Sequence, residues 1–300
     1  MCAHQPSDPS VPREGYIPLE NAALYFRDIG HGEPIILVHG GPDFDHNYLL
    51  PDMDRLSDRF RLIYYDQRGR GKSTGSSVPE DITLQSEIRD LESVRMHFQL
   101  DRVAILGHSW GGVLAMEYAI RYPNRVSHLI LMNTAPASHS DYLLLRDERQ
   151  KKAPEDMEKL KALGSTARYQ EGDLAADAEY YRIHFRSTLR QPDDLERIIK
   201  SLRSDFTEEG IRRAREIEDR LMNETWRLKD YDLLPELSRL RLSTLVLYGD
   251  RDLVPLACAE HIAQAIPGAR LIVLKETGHF SYIESPGAVR REIVALFHDT

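Results

Sequence analysis

The sequence has little cysteine, with only Cys2 and Cys258 among its 300 residues. Two thiols so far apart do not build a disulfide framework, and their scarcity suits a reducing compartment. Neither has the histidine neighbours or the ligand spacing of a zinc site. The sequence therefore predicts no structural disulfides and no bound metal.

Basic charge and long apolar runs are also lacking. The formal net charge is -9, which argues against a surface for nucleic acid or anionic membranes. Apolar runs such as Ile-Ile-Leu-Val at 35–38 are far too short to span a bilayer. Residues 1–15 are rich in Pro and Ser and lack the basic and apolar regions of a signal peptide, so they are expected to form a flexible tail. We expect a soluble, cytoplasmic protein with no nucleic-acid or membrane partner, and the sequence carries no signal for an oligomeric state.

Short apolar runs alternate with helical patterns along most of the chain. The runs have no polar alternation, which is typical of strands covered on both faces. This order predicts an α/β protein with a mostly parallel central sheet flanked by helices. Strands are predicted at 23–29, 34–40, 61–66, 102–108, 126–133, 244–250 and 269–275, and core helices at 84–99, 112–122, 256–266 and 286–297.

Residues 136–236 break this alternation, because they contain no strand-like run and are dense in charge. The charge runs are interpreted as solvated helix faces. A helical insertion between two core strands predicts a cap over the carboxyl edge of the sheet, where ligands bind in open α/β sheets. The predicted organisation is a core of residues 16–135 and 237–300 with a helical cap at 136–236.

The stretch Gly107-His108-Ser109-Trp110-Gly111 matches the pattern G-x-S-x-G between a predicted strand and a predicted helix. Such a turn holds its serine in a strained backbone conformation, and glycine at the flanking positions avoids collisions with neighbouring backbone. The pattern predicts that Ser109 is a nucleophile.

A nucleophilic serine needs a base, and the base needs an orienting carboxylate. His279 follows the last predicted strand and is the candidate base; His39, His46, His108 and His184 have less suitable positions. Asp252 is the preferred carboxylate because it lies past the turn that follows its strand, with Asp250 as the alternative.

Attack on a carbonyl creates an oxyanion that preorganised donors must stabilise. The predicted donors are the backbone N–H of Trp110, directly after the nucleophile, and that of Gly41, in the loop after an early strand. The segment at 66–73 ends in Gly-Lys-Ser, but Asp66 stands where a phosphate-binding loop needs its first glycine. We therefore expect no nucleotide and no other cofactor.

Three motifs carry a resemblance to a known family: His-Gly-Gly-Pro at 39–42, Asp-Gln-Arg-Gly-Arg-Gly-Lys-Ser at 66–73 and the region around Ser109 at 107–119. With the cap position, they resemble the proline iminopeptidase group of the α/β-hydrolase fold, over roughly residues 20–298. The resemblance implies a cofactor-independent serine hydrolase that removes the N-terminal residue from a short peptide or another small amide.

The same resemblance implies that acidic cap residues bind the free α-amine of the substrate, and it makes Glu224, in an Asn-Glu pair, the substrate-binding candidate. Two positions depart from the group. Asp43 replaces a glycine, and Leu253 stands where part of the group has an acidic residue, so Asp43 or Asp45 is a further candidate for the amine. A carboxylesterase or small-amide hydrolase is the alternative activity. A non-catalytic ligand-binding protein is the alternative class, disfavoured because candidates for all three catalytic residues are present.

Overall fold

A nine-stranded, mostly parallel sheet forms the centre of the computed structural model, which describes residues 9–75 and 81–298. The strand order is 1-2-4-3-6-7-8-9, with the short fifth strand beside the second. The pairs involving the first, second and fifth strands are antiparallel, and the remaining pairs are parallel. The strands are β1 (Arg13–Pro18), β2 (Ala22–Gly30), β3 (Glu33–Val38), β4 (Phe60–Tyr65), β5 (Thr74–Gly75), β6 (Val103–His108), β7 (Val126–Met132), β8 (Ser243–Gly249) and β9 (Arg270–Leu274).

Helices cover both faces of this sheet and fill the long segment between β7 and β8. Short 3₁₀ turns lie at His46–Leu49, Asp52–Leu56 and Pro123–Arg125. The α-helices are α1 (Leu84–His97), α2 (Trp110–Arg121), α3 (His139–Lys152), α4 (Pro154–Gly164), α5 (Ala167–Gln170), α6 (Leu174–Phe185), α7 (Pro192–Ser201), α8 (Glu208–Glu224), α9 (Leu234–Leu237), α10 (Leu256–Ala265), α11 (Ser281–Glu284) and α12 (Pro286–His298).

The core has two apolar layers, one on each face of the sheet. Successive side chains of a strand point to opposite faces. In β3, Ile36 and Val38 therefore join the layer formed with α1, α2 and α10, whereas Ile35 and Leu37 join the layer formed with α12. All four are fully buried, which explains why the sequence shows an unbroken apolar run there. The predicted three-layer α/β fold is confirmed.

Strand β1 was not predicted from the sequence. Residues 13–15 were assigned to the flexible tail, but they pair antiparallel with residues 26–28 of β2. The strand lies at the edge of the sheet and exposes most of its side chains, so it lacks the apolar run that identified the others. The predicted tail therefore ends at least three residues earlier, and residues 1–8, including Cys2, lie outside the described part of the chain.

Buried charges join the helical segment to the loop after β3. Arg203, which follows α7, bonds to Asp43 and donates to Asp177 at 2.6 Å. Tyr181 donates its hydroxyl to Asp43 at 2.6 Å, and Arg215 also contacts Asp177. We call these five residues the Arg203 cluster. Its ion pairs are almost fully shielded from solvent, so they tie the helices to the loop that carries Gly41.

Among residues 9–75 and 81–298, no helix is long and apolar enough to cross a membrane.

We expect Arg203→Met to lower the free energy of unfolding by about 3–5 kcal/mol, because it leaves the buried carboxylate of Asp43 without its cation. Urea denaturation measures the change. The matched control is Arg125→Met, which breaks an exposed pair with Asp101 and is expected to cost about 1 kcal/mol or less. Equal losses in the two variants would contradict the stabilising role of the Arg203 cluster.

Candidate active site

Four loops meet at the carboxyl edge of the sheet, and each carries at least one predicted site residue. Gly41 follows β3, Ser109 follows β6, Asp252 follows β8 and His279 follows β9. Because β3, β6, β8 and β9 run in the same direction within the sheet, their carboxyl ends open on one edge. The topology thus gathers residues that are far apart in the sequence.

The turn between β6 and α2 is sterically tight at Ser109. Its backbone has φ 55° and ψ −121°, a conformation that non-glycine residues rarely adopt. A Cβ at Gly107 would collide with the carbonyl oxygen of Gly111, and one at Gly111 would collide with that of Val38. Helix α2 begins at Trp110, directly after the serine and two residues earlier than the sequence predicted.

Ser109, His279 and Asp252 form a continuous hydrogen-bonded chain. Ser109 Oγ lies 3.0 Å from His279 Nε2, and His279 Nδ1 lies 2.8 Å from Asp252 Oδ1. An ionised carboxylate only accepts, so Nδ1 carries the proton and Nε2 is free to accept from the serine. The arrangement allows His279 to remove the hydroxyl proton as Ser109 attacks a carbonyl carbon.

Asp252 is held by two further donors. Val254 N–H donates to Oδ1 at 3.0 Å, and Asn133 Nδ2 donates to Oδ2 at 2.7 Å. Asn133 also donates to the carbonyl oxygen of Gly278 at 3.0 Å, next to His279. Sequence reasoning missed Asn133, although its place directly after β7, beside the strand that leads to Ser109, was a usable signal.

Asp250, the alternative carboxylate, is engaged elsewhere. Its side chain accepts from Thr277 N–H at 3.3 Å and lies 3.8 Å from Lys275 Nζ, so it closes the turn between β8 and the loop after β9. The geometry therefore favours Asp252 as the partner of His279.

A second buried chain of donors supports His279 through its main chain. Gly40 N–H donates to the hydroxyl of Tyr48 at 2.7 Å, and Tyr48 donates to His108 Nδ1 at 2.8 Å. Burial lowers the pKa of His108 to about 3, so its ring is neutral. His108 Nε2 then donates to the carbonyl oxygen of His279 at 2.9 Å. His108 thus holds the His279 loop against the turn at Ser109.

Two other histidines considered as the base, His39 and His46, lie in the loop after β3 and also have structural partners. His39 Nε2 accepts from Gln67 N–H at 3.0 Å, and burial lowers the pKa of His39 to about 3. His46 Nδ1 lies 2.7 Å from Asp66 Oδ1, and Asp66 also accepts from Lys72 N–H. The segment at 66–73 is therefore a loop organised around a buried aspartate.

The predicted oxyanion donors are placed on either side of Ser109. Gly41 lines the same cavity as Ser109 and adopts φ +118°, which favours glycine. Trp110 provides the first N–H group of α2, which points out of the helix end. Within the described residues neither amide has a hydrogen-bond partner, so both are free to donate to an oxyanion.

A cavity of about 370 Å³ opens above Ser109, with His279 in its wall. Aromatic side chains from the helical segment form much of this wall, namely Tyr142, Tyr169, Tyr180, Tyr181, Phe185 and Trp226. Its size and lining suit a small organic substrate. Residues 9–75 and 81–298 contain no group of three or more His, Cys, Asp or Glu side chains arranged to hold a metal.

The structure places Glu224, the predicted substrate-binding residue, outside the cavity wall. Its carboxylate accepts from Leu84 N–H at 2.8 Å, at the first turn of α1. There it satisfies a free amide of the helix start. Asp43 and Asp45 are also engaged, Asp43 in the Arg203 cluster and Asp45 as the cap of the 3₁₀ turn at His46–Leu49.

Glu218, one helical turn and a half before Glu224 in α8, does line the cavity. Considering only the described residues, its carboxylate has no hydrogen-bond or ion-pair partner. Burial raises the pKa of Glu218, and the positive charges of Arg203 and Arg215 oppose that rise. An unpaired carboxylate in the cavity wall is a site for a cationic group. The sequence offered no means of separating it from the other acids of α8.

A sequence model described as the alpha/beta hydrolase fold matches residues 33–286. The chain therefore belongs to the α/β-hydrolase family, and the protein is a hydrolase that is similar in sequence to proline iminopeptidases.

Individual relatives agree with this assignment. The proline iminopeptidase of Saccharolobus solfataricus is 27% identical over 280 residues, covering 90% of this chain and 87% of that protein. That of Clostridium botulinum is 29% identical over 285 residues, covering 90% and 93%. Among solved structures, the crystal structure of the proline iminopeptidase from Mycobacterium smegmatis aligns with a TM-score of 0.72 at 22% identity, covering 96% of this chain and 98% of that one.

We expect Asn133→Asp to lower kcat by about 10–100-fold, because it replaces a hydrogen bond to a charged group with a repelling carboxylate. Asp tolerates the positive φ of this position, so the backbone is retained. Steady-state turnover of an activated ester measures the loss, with Asn223→Asp, on the exposed end of α8, as control. Unchanged turnover would exclude a positioning role for Asn133.

Proposed function

We propose that the protein is a serine aminopeptidase that removes the N-terminal residue from short peptides or amino-acid amides through an acyl-enzyme. The observation that carries the proposal is the position of Glu218, whose unpaired carboxylate lies in the wall of the cavity that contains Ser109. A nucleophile and an anionic group in one small cavity match a substrate with a reactive carbonyl and a nearby ammonium group.

In the proposed mechanism, Ser109 Oγ attacks the carbonyl carbon while its proton passes to His279 Nε2. The carbonyl oxygen becomes an oxyanion and accepts from the N–H groups of Gly41 and Trp110. Asp252 stabilises the imidazolium. The C–N bond then breaks, His279 returns the proton to the leaving amine, and an acyl-enzyme remains. Water, deprotonated by His279, attacks this ester and releases the free amino acid and Ser109.

The recognition step rests on charge and shape. Glu218 would accept hydrogen bonds from the α-ammonium group, and this charge-assisted contact fixes the first residue of the substrate. Tyr169 and Trp226 in the same wall offer apolar surface to the first residue of the substrate. A half-buried carboxylate with no ion-pair partner among the described residues gains from such a ligand, because binding compensates its lost hydration.

The relatives support this substrate class, since the two curated proteins at 27% and 29% identity are named proline iminopeptidases. A carboxylesterase is the second candidate, and Leu253 favours it. This residue lies in the cavity wall next to Asp252, where an acidic side chain would supply a second contact to an amine. An ester substrate would need Ser109, His279 and Asp252 but not Glu218.

We expect Ser109→Ala to abolish turnover, by at least about a thousandfold, because the alanine has no nucleophilic oxygen. Turnover is measured for the wild type and the variant with two groups of substrates: proline and other aminoacyl arylamides, and short p-nitrophenyl esters. Far-ultraviolet circular dichroism of the variant, expected to match the wild type, verifies the fold. Retained turnover by a folded variant would overturn the nucleophile assignment, and wild-type cleavage of esters alone would favour the carboxylesterase.

We expect Glu218→Gln to raise KM for aminoacyl arylamides by about 10–100-fold and to leave KM for p-nitrophenyl acetate nearly unchanged. In the wild type the carboxylate must be ionised to bind the ammonium group. Since burial raises the pKa of Glu218, we expect KM for arylamides to increase on acidification at a pH above the ordinary glutamate range of about 4.3. The variant should lose this pH dependence.

Glu224→Gln is the matched control for that experiment. It removes the same charge from the same helix but outside the cavity. Ester turnover corrects for the pH dependence of the catalytic steps that both substrates share. Equal effects of Glu218→Gln on arylamides and esters, or a larger effect of Glu224→Gln, would argue against the amine site.

A further inference from the structure

A second charged side chain in the cavity wall, Arg149, has no counter-ion. It lies in the last turn of α3, and its nearest hydrogen-bond partner is His184, whose Nδ1 is 3.4 Å from Nη2. In the part of the chain that the structure describes, no carboxylate is within ion-pair distance of Arg149. Burial lowers the pKa of the Arg149 guanidinium, which is the expected consequence of shielding a cation without a paired anion.

The acidic residues around Arg149 are already engaged. Asp156 pairs with Arg186, and Asp250 closes the turn next to Thr277. Asp252 accepts from His279 at 2.8 Å and is shielded from solvent. None of these carboxylates is available to neutralise Arg149, so the guanidinium is a site for an anion brought from outside the protein.

Arg149 connects the catalytic cavity to a neighbouring cavity of about 200 Å³. Arg149, His184 and Leu253 line both, and the smaller cavity also contains Asp252 and the basic side chains of Lys152 and Arg251. It therefore lies on the Asp252 side of His279. His279 must deliver its proton to the leaving amine, so the leaving group has to lie on the His279 side of Ser109. Arg149 lies in the wall of the cavity that contains Ser109 and His279, so a leaving group held there can reach its guanidinium.

We propose that Arg149 is a specificity-determining residue that binds a carboxylate on the leaving group, so that the preferred substrates are short peptides with an anionic leaving residue, above all unblocked dipeptides. This inference deepens the proposed function and rests on it. Glu218 would bind the ammonium end of such a substrate and Arg149 the carboxylate end, with the scissile amide at Ser109. Guanidinium suits this role because its planar donors match both oxygens of a carboxylate.

The test compares kcat/KM for four substrates with the same N-terminal residue: Ala-Gly, Ala-Gly-amide, Ala-Asp-amide and alanine p-nitroanilide. The wild type should prefer Ala-Gly over Ala-Gly-amide by about 10-fold or more, the range of a charge-assisted contact. Ala-Asp-amide carries a side-chain carboxylate but no C-terminal carboxylate, so it distinguishes binding of the one from binding of the other. A preference for it over Ala-Gly-amide supports binding of a side-chain carboxylate at the same subsite.

Three variants assign the preference to Arg149. Arg149→Met should reduce the ratio of Ala-Gly to Ala-Gly-amide to near unity, and Arg149→Lys should retain part of it. Lys151→Met is the matched control, because Lys151 lies in the same helical turn, is exposed and is outside both cavities. It should preserve the wild-type ratio. The ratio is internal to each variant, so a change in the amount of folded enzyme does not affect it.

The outcomes separate this inference from the proposed function. Wild-type cleavage of alanine p-nitroanilide with equal kcat/KM for Ala-Gly and Ala-Gly-amide would overturn the carboxylate site and leave the aminopeptidase intact. An unchanged ratio in Arg149→Met would also overturn it. Failure of the wild type to cleave the four amides and the proline and other aminoacyl arylamides, with esters still cleaved, would instead overturn the proposed aminopeptidase. The wild-type ratio of kcat/KM for Ala-Gly to that for Ala-Gly-amide tests the carboxylate site even if the Arg149 variants do not fold.

Discussion

The close contact between the turn at Ser109 and the end of β3 is the constraint on which the site depends. Gly111 lies against the carbonyl oxygen of Val38 with no room for a Cβ, and Gly107 lies against Gly111 in the same way. This packing forces Ser109 into its positive φ and directs its hydroxyl to the edge of the sheet. The loop that begins after Val38 contains Gly41, so the same contact brings the proposed oxyanion donor into the cavity of the proposed nucleophile, Ser109. Strain in the turn is maintained because β3 and β6 are adjacent, buried strands.

Hydrogen bonds through Tyr48 and His108 extend this constraint to the base. His108 is the residue before Ser109 in the turn, and its ring holds the carbonyl oxygen of His279. Asn133 holds Asp252 and the carbonyl oxygen of Gly278 from the other side. The loop carrying His279 is thus fixed by contacts with two neighbouring strand ends, and the orientation of the imidazole depends on groups that take no part in proton transfer.

Pairing of charges distinguishes structural groups from candidate binding groups. Asp43 and Arg203 are buried with partners, and they join the helical segment to the core. Among the described residues, Glu218 and Arg149 lie in the cavity wall with no opposite charge within ion-pair distance, so a ligand of opposite charge would compensate their desolvation. A substrate with both an ammonium group and a carboxylate would satisfy the two together.

The sequence by itself determined the α/β fold, the tight turn at Ser109 and the order of Ser109, Asp252 and His279, because each depends on local apolar periodicity or on glycine placement after a strand. The structure brings these three residues and Gly41 together, as parallel strand ends must meet at one edge. Strand β1 was not predicted, because an exposed edge strand has no apolar run.

Only the tertiary structure decided which charged residues are paired. Glu224 and Glu218 occupy one helix in similar surroundings in the sequence, yet Glu224 caps α1 and Glu218 faces the cavity. Arg149 lies in a run of charged residues whose pattern indicates a solvated helix face. Packing of the helices over the sheet, which local patterns do not encode, partly buries this side chain in the wall of the cavity above Ser109.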